Sequence, residues 1–387
     1  SYYYNNPSSW PNNFPFGAVD AVTSFIFASQ ADAGKYYAAA ERSMNKVVAS
    51  SAILSTFILS EKKALSTSLS GSSPLDKSEE VRKVWSHIRQ SIEKHDPKVA
   101  QKKAPFLSRL YFALDRTFNE IAEKVQVGRV DPFIALNLKK YSSNGGQATA
   151  KADINRPLRV GFLPIAANPL TWGHILIAFM ATNILSLDTV VFRVQGEIRY
   201  KDLPESDRVP VRERHAVVLR EVENLFPLIR YTDLGSESNN NKEGFEEMYR
   251  LLELNPEQPI DIFYILGVEN KERVVKYAKQ QYEMAARHTS LPHHRISVAW
   301  LQRGAYGASV TSEELESIYE PFRKQLGVKE PLNLVLVKDP DIDLNVASTY
   351  YRNSHDPAIV PPYVDEHAKT HGYYGHPPID PRTGKPY

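Results

Sequence analysis

Between residues 157 and 340 the chain alternates short apolar runs with longer stretches in which apolar residues recur every three or four positions. The short runs have the length of buried strands, and the longer stretches have the period of amphipathic helices. This alternation predicts an α/β fold with a central parallel sheet covered on both faces. The first strand is expected near residues 158–165. The predicted strands are LRVGFLPIAA, DTVVFRVQ, IDIFYILG, HRISVAWLQ and LNLVLVKDP.

The first 150 residues have a different pattern. Residues 1–17 are rich in Tyr, Asn and Pro and are typical of an extended arm, whereas residues 18–126 show helical spacing of small and apolar residues. In SEEVRKVWSHIRQSIEKH the apolar residues form one stripe, and Ser78 is the expected N-cap. The polar, glycine-containing segment 139–157 is typical of a linker. We therefore expect residues 1–150 to form an arm and a separate, mostly helical domain, and residues 151–387 to form the sheet domain.

Composition and charge narrow the classes of protein. The 47 basic and 45 acidic residues leave a formal net charge of +2, which argues against nucleic acid or an anionic membrane as the main partner. The sequence has no cysteine, so disulfides, thiolate zinc sites and cysteine nucleophiles are excluded. No stretch approaches the ~20 apolar residues of a membrane span. Because the start carries neither Met nor a basic signal segment, we expect a cytoplasmic or organellar protein with a processed N-terminus, and not a secreted one.

The first unusual stretch after a strand is NPLTWGHI, residues 168–175. In open parallel sheets ligands bind at the carboxyl ends of strands, and the N–H groups at a helix N-terminus favour anions. Thr171 can cap the helix, Gly173 allows a phosphate to approach the backbone, and His174 adds a side-chain donor. The alternative is an ordinary Thr-capped helix with a surface or core histidine. On this stretch alone the two interpretations are equally good.

Two further stretches also follow strands. LNVASTYYRNS places Ser348 and Thr349 at a helix start, with Arg352 on the same face as Thr349. These hydroxyls and the guanidinium would make a second anion site, although a simple cap with a solvated arginine explains the stretch taken alone. ILGVENKERV offers Gly267 for close approach, and Glu269 and Asn270 for sugar hydroxyls or a base edge. Two anion sites on one parallel sheet together favour a nucleoside triphosphate.

The first and last of these stretches resemble the two motifs of the nucleotidyltransferase superfamily, (His/Thr)-x-Gly-His and Ser-Thr-x-x-Arg, here TWGH at 171–174 and STYYR at 348–352. Within it the chain is most similar to the nicotinamide and nicotinate mononucleotide adenylyltransferases. NPLTWGH, VRERHAVVL, LGVEN, LQRGAYG and the tail AIVPPYVDEHAKTHGYYG resemble that family's motifs in the same order. The chain differs by having residues 165–167, Ile-Ala-Ala, where the family has Gly-x-Phe, and Glu269 where it has Asp. Residues 1–150 have no counterpart in the compact family members.

The resemblance implies a Rossmann-like nucleotidyltransferase domain that transfers the adenylyl group of ATP to a pyridine mononucleotide, with Mg²⁺ bridging phosphate oxygens and no dedicated metal site in the protein. Arg193, Arg199, Lys201 and Arg212 are weaker candidates for the mononucleotide phosphate, because a solvated basic face also explains them. Trp172 and Trp300 could stack on a pyridine ring, and packing in the core or at the rim is the alternative for each. The implied catalytic residues are His174, Thr171 and Arg352; the implied ATP contacts are Asn168, Gly173, Ser348, Thr349, Gly267 and Glu269; and the implied mononucleotide contacts are Arg214, Trp172 and Trp300.

Two other functions stay open at this stage. A non-catalytic scaffold or assembly subunit would account for the helical extension, which could also bind a partner protein or a second copy of the chain. A nucleotidyltransferase with another acceptor, such as a phosphopantetheine or an alcohol phosphate, would keep the same chemistry. The histidines lack fixed metal-ligand spacing, so we expect loop or surface roles for His293, His294, His355, His367, His371 and His376.

Overall fold

The sheet domain is a doubly wound α/β fold. The computed structural model describes residues 73–101, 106–138, 156–197, 203–238, 243–288, 291, 293–302, 309–339, 347–379 and 383. All neighbouring strands of the six-stranded sheet are parallel, in the order β3-β2-β1-β4-β5-β6. This is the strand order of nucleotide-binding doubly wound sheets. The strands are β1 (Leu158–Ile165), β2 (Thr189–Val194), β3 (Ile229–Thr232), β4 (Ile260–Val268), β5 (His294–Gln302) and β6 (Asn333–Lys338).

The helices cover the sheet in two layers, and each layer has its own hydrophobic core. One layer contains α1, α2, α3, α4 and α9, together with Tyr351 of α8, and the other contains α5, α6 and α7. The chain changes layers after β3, so β1 and β4 lie side by side where the strand order reverses. The helices are α1 (Pro74–His95), α2 (Phe106–Gln126), α3 (Trp172–Leu185), α4 (Val211–Leu225), α5 (Glu243–Glu253), α6 (Lys271–Arg287), α7 (Ser312–Gln325), α8 (Ser348–Ser354) and α9 (Pro362–His371).

The predicted α/β class is confirmed, and β1 spans the expected residues. Six of the eight β1 positions are buried, as expected for a parallel strand covered by helices on both faces. At Gly161 a Cβ atom would lie 2.8 Å from Leu187 Cδ1, so the residue allows close packing against the β1 neighbours. No helix in the described ranges has the length and apolar content needed to cross a membrane.

Helices α1 and α2 share a core with the sheet domain, although we predicted a separate unit ending near residue 150. Helix α3 is apolar on nearly every side, which requires protein on its outer face as well as the sheet beneath. Helix α2 provides that cover, with the rings of Phe118 and Phe179 4.4 Å apart between centroids. Lys124 Nζ donates to Asn183 Oδ1 at 2.8 Å. The predicted helical segment 18–72 and the linker residues 139–155 lie outside the described residues.

The segment after α2 is joined to the sheet by hydrogen bonds of buried polar groups. Asp188 is fully buried and accepts the backbone N–H groups of Asp131 and Arg159, each at 2.8 Å. Arg230 Nη2 donates to the carbonyls of Pro132 at 2.8 Å and Ile134 at 2.9 Å. Residues 131–134 therefore lie along the sheet and fasten α1 and α2 to it.

We expect a protease that cuts within residues 139–155 to leave the two fragments associated. This polar, glycine-containing segment is a favourable cleavage site, but the contacts of α2 with α3 do not depend on its continuity. The nicked chain should elute from a sizing column at the volume of the intact chain and separate only in denaturant. Separate elution of the N-terminal fragment under native conditions would contradict the shared core.

Candidate functional site

A cleft of about 760 Å³ opens at the carboxyl ends of β1 and β4. Its volume lies within the ~300–1,000 Å³ typical of small-molecule sites, and its place at the reversal of strand order is where doubly wound sheets bind ligands. The predicted site residues that line it are Gly173, His174, Gly267, Glu269, Ser348, Thr349 and Arg352.

Helix α3 presents His174 to the cleft in a defined orientation. The Nδ1 atom of His174 accepts a hydrogen bond from the backbone N–H of Thr171 at 3.0 Å. A ring nitrogen that accepts a bond carries no proton, so the proton of the neutral ring is on Nε2. Thr171 is fully buried and is the N-cap of α3, so it orients the histidine and does not line the cleft.

The turn between β1 and α3 is built around Asn168. Ala167 has a left-handed backbone with φ of 49°, and the Asn168–Pro169 peptide is cis. Asn168 is 2% exposed; its Nδ2 donates to the Asp207 carbonyl at 2.7 Å, and its Oδ1 accepts the Tyr374 hydroxyl at 3.0 Å. Asn168 thus holds the turn in place through its side-chain hydrogen bonds and does not line the cleft.

The late motif is bonded directly to this turn. Ser348 Oγ donates to the Pro169 carbonyl at 2.9 Å. Arg352 Nη1 donates to the Asn168 carbonyl at 2.6 Å, its Nη2 donates to Thr349 Oγ1 at 3.1 Å, and its Nε lies 3.3 Å from an Asp207 carboxylate oxygen. The hydroxyl of Thr349 accepts from Arg352 and keeps its own proton to donate. The two predicted motifs therefore form one bonded unit at the edge of the cleft.

Helix α6 supplies cleft residues that the sequence analysis missed. Asn270 caps this helix by accepting the N–H of Arg273 at 2.7 Å, and Arg273 forms an ion pair with Glu269. Arg273, Lys276 and Tyr277 line the cleft. They lie four, seven and eight positions after Glu269, which is the spacing of one helix face. That spacing, in the stretch NKERVVKYAK, was the signal for a cationic cleft wall.

Tyr264 contributes a phenol to the cleft lining. Burial raises the pKa of Tyr264 above the ordinary value of a tyrosine. The hydroxyl therefore stays protonated at neutral pH and can act only as a neutral hydrogen-bonding group.

Arg214 does not lie where a mononucleotide-binding residue was expected. It is 2% exposed, and its guanidinium donates to the carbonyls of Ala166 at 2.6 Å and Gln195 at 2.9 Å, and also to that of Gly196. A planar group with five donors satisfies several strand-end carbonyls at once. Arg214 therefore joins the carboxyl ends of β1 and β2.

Both tryptophans are core residues, in agreement with the alternative considered for them and not with stacking on a ligand. Trp172 is 3% exposed and belongs to the core of the α3 layer. Trp300 is fully buried, and its Nε1 donates to the Tyr319 hydroxyl at 2.9 Å. Neither ring lines the cleft. An aromatic residue beside a motif looks the same in the sequence whether it packs or binds.

Arg193 and Arg212, two of the other basic candidates, also lie away from the cleft. Arg193 is 1% exposed and forms a buried ion pair with Glu247. Arg212 is about half exposed and lies 3.8 Å from a Glu213 carboxylate oxygen. Arg199 and Lys201 lie outside the described residues, as does most of the LQRGAYG stretch.

Within the described residues, the one group of three or more histidine or carboxylate ligands with clustered atoms lies outside the cleft. The cleft carboxylates, Glu269 and Glu272, do not form such a group. A Mg²⁺ ion in the cleft would thus need phosphate and water oxygens for most of its coordination.

No family model matches the sequence, and no curated protein matches it. Solved structures that resemble the chain include nicotinic acid mononucleotide adenylyltransferase from Plasmodium falciparum, once complexed with APC and once with NaAD. Each comparison has 13% sequence identity and a TM-score of 0.38, and covers 56% of this chain and 97% of the other. A likeness at this level does not establish a family or a function.

Proposed function

We propose that this chain is a nucleotidyltransferase that transfers the adenylyl group of ATP to nicotinamide or nicotinate mononucleotide, releasing pyrophosphate. The observation that carries the proposal is the meeting of both motifs at one cleft, where His174 faces the same space as Thr349 and Arg352. The cleft lies at the reversal of strand order in a parallel sheet. The choice of acceptor comes from the sequence resemblance alone.

In this proposal catalysis consists of positioning and charge neutralisation. The mononucleotide phosphate is already anionic, so it attacks the α-phosphorus of ATP without a strong base or a covalent enzyme intermediate. The Nε2–H of His174 donates to an α- or β-phosphate oxygen. The backbone N–H of Thr171 donates to Nδ1, so the proton of the neutral ring is on Nε2. The hydroxyl of Thr349 and the guanidinium of Arg352 donate hydrogen bonds to the β- and γ-phosphates.

Mg²⁺ is part of the proposal as the companion of the triphosphate. When bound, it would neutralise charge on the departing pyrophosphate. Glu269 and Glu272 are the carboxylates that line the cleft, and they would be its protein ligands, directly or through water.

The acceptor requires a contact set different from the one expected from the sequence, because Arg214 and both tryptophans are buried. Arg273 and Lys276 are the cleft cations on α6 and suit the mononucleotide phosphate. Tyr277 lines the same wall, but it is 9% exposed and the Arg273 guanidinium lies over its ring, with Cζ 5.4 Å from the centroid.

The direct test is to incubate the full chain with ATP, Mg²⁺ and each mononucleotide separately. We expect equal amounts of dinucleotide and pyrophosphate with one or both acceptors, and none when ATP or the acceptor is omitted. Phosphopantetheine and an alcohol phosphate serve as alternative acceptors in parallel reactions. Product with one of these alone would reassign the acceptor, and no product with any would contradict the enzymatic proposal.

A non-catalytic scaffold is the second candidate, and one observation favours it. Ser348 and Arg352 donate hydrogen bonds to the carbonyls of the Asn168–Pro169 turn. A structural role in holding this turn therefore accounts for part of the late motif without any ligand. Calorimetry separates the two candidates, because a scaffold that has lost its substrate binds neither ATP nor the mononucleotide.

We expect Arg352→Lys not to rescue ATP binding lost in Arg352→Ala. The guanidinium contacts Asn168, Thr349 and Asp207 at once, and one ammonium cannot reproduce that planar geometry. Both variants should bind ATP at least about 10-fold more weakly, since in this proposal the guanidinium also donates to a phosphate and a hydrogen bond to a charged group contributes about 1.5–3 kcal/mol. Calorimetry at one ionic strength measures this, with Arg212→Lys as the exposed control. Binding of the Lys variant at wild-type strength would mean that Arg352 acts only as a diffuse charge.

A further inference from the structure

A second cluster of chemically active side chains lies outside the cleft, between α4 and α9. Glu213 is in the first turn of α4, and His367 and His371 are four residues apart on α9. That spacing puts both imidazoles on one helix face, and their ring centroids are 4.2 Å apart. Loop or surface roles were expected for these two histidines; both lie on α9, where His371 is exposed and His367 is half-buried.

The separations suit a single metal ion. One ligand atom from each residue can be chosen so that all three lie within 4.8 Å of one another. His367 Nε2 and a Glu213 carboxylate oxygen are 3.2 Å apart. Tetrahedral zinc ligands at about 2.0–2.1 Å from the ion lie roughly 3.4 Å from each other. The Glu213–His367 pair already has this spacing, and the ligand atom of His371 lies within 4.8 Å of both.

The hydrogen bonds around the cluster leave a ligand atom available on His371. Its Nδ1 lies 2.9 Å from the His367 carbonyl, which can only accept, so Nδ1 carries the proton and Nε2 has the lone pair. Metal-binding histidines commonly donate their second N–H to a carbonyl in this way. The ring of Tyr373 stacks on His371 at an interplanar angle of 8° and limits its rotation.

The charges around the cluster are compatible with a divalent cation. Glu213 supplies the acidic group of the cluster, and His367 and His371 supply two imidazoles. The neighbouring cation, Arg212, is about half exposed and lies 3.8 Å from Glu213 Oε1, whereas His367 contacts Oε2.

We propose that Glu213, His367 and His371 form a site for a divalent transition-metal ion, with Zn²⁺ as the best fit. Two imidazoles and one carboxylate are a common zinc ligand set, and they do not suit Mg²⁺, which prefers oxygen ligands. The exposed side of His371 leaves a fourth position for water. The bound ion would tie α9 to α4 and so fix the C-terminal helix. The site is separate from the proposed ATP cleft, so its test does not depend on activity.

The test uses the full chain without a histidine tag, stripped of metal with a chelator. We expect calorimetry to show one Zn²⁺ per chain, and Co²⁺ at one equivalent to give the visible absorption of a low-symmetry site. Zn²⁺ should also raise the midpoint of thermal unfolding, whereas Mg²⁺ should not. His371→Ala and Glu213→Gln should each weaken Zn²⁺ affinity by about 100-fold or more, since loss of an outer-shell partner alone costs 10- to 100-fold.

His293→Ala is the matched control, because His293 is exposed and lies outside the cluster. It should bind Zn²⁺ as the wild type does. The exposed position of His371 makes its alanine variant expected to fold, and circular dichroism checks this. Absence of saturable Zn²⁺ and Co²⁺ binding would overturn the proposal and leave a simple His367–Glu213 ion pair. Wild-type Zn²⁺ affinity in folded His371→Ala or Glu213→Gln would overturn it as well.

Discussion

Replacing His174 with alanine is expected to lower the rate of adenylyl transfer by about 100- to 1,000-fold, the usual cost of losing one preorganised donor to developing charge. The bond from Thr171 to Nδ1 fixes the ring before the nucleotide arrives, so the wild type pays no reorganisation cost. The same bond contributes only about 0.5–1.5 kcal/mol to the free energy of unfolding. The rate should therefore fall far more than the stability. Pyrophosphate release at saturating substrates, with urea unfolding in parallel, measures both effects.

Two further variants serve as comparisons for His174→Ala. His174→Gln keeps a side-chain N–H donor and should retain more activity than the alanine variant, although its amide is less well held. His95→Ala removes an exposed histidine at the end of α1 and should leave the rate unchanged. Equal rates for His174→Ala and the wild type would remove His174 from the mechanism.

The second large effect is expected on stability, at the buried pair between Arg193 and Glu247. Their side chains are 1% and 4% exposed, and Arg193 Nη2 has no hydrogen-bond partner among the described residues. Arg193→Met would remove the Arg193 guanidinium from the buried Glu247 carboxylate. Breaking a buried pair from one side typically costs about 3–5 kcal/mol. We expect a loss of this size in the free energy of unfolding measured in urea.

The Arg193→Met experiment has two controls: a double variant at the buried pair and a single variant at an exposed pair. Replacing both Arg193 and Glu247 with methionine should recover at least half of the loss, because no unpaired charge stays in the interior. Arg250→Met breaks an exposed pair on the same helix as Glu247, with Arg250 3.1 Å from Glu246, and should cost less than about 1 kcal/mol. Equal losses at both pairs would show that burial does not decide the cost.

The architecture of the sheet domain could be predicted because periodicity reports directly on local structure. The run LRVGFLPI is β1 from end to end, and the stretches chosen for following strands line the cleft through His174, Gly267 and Ser348. The place of α1 and α2 could also have been inferred. Helix α3 has no polar face, which indicates a helix covered on its outer side.

The side-chain contacts of the site could not be predicted in the same way. Arg214 and Trp300 have residue types that suit ligand binding, yet both are buried, because the partners that bury them lie far away in sequence. Arg352 was expected to face a phosphate, whereas three protein groups already engage it. Nothing local in the sequence distinguishes a guanidinium that grips a ligand from one that holds a neighbouring turn.

The contacts of Asn168 make the cleft a late product of chain synthesis. Its carbonyl is held by a residue 184 positions further on, and its side chain by the Tyr374 hydroxyl, 206 positions further on. All six strands precede Arg352 in the sequence, so a growing chain on the ribosome can assemble the whole sheet before the turn at Asn168 is secured. A premature stop after β6 would therefore remove both of these contacts of Asn168, together with the part of the α3 core that α9 supplies.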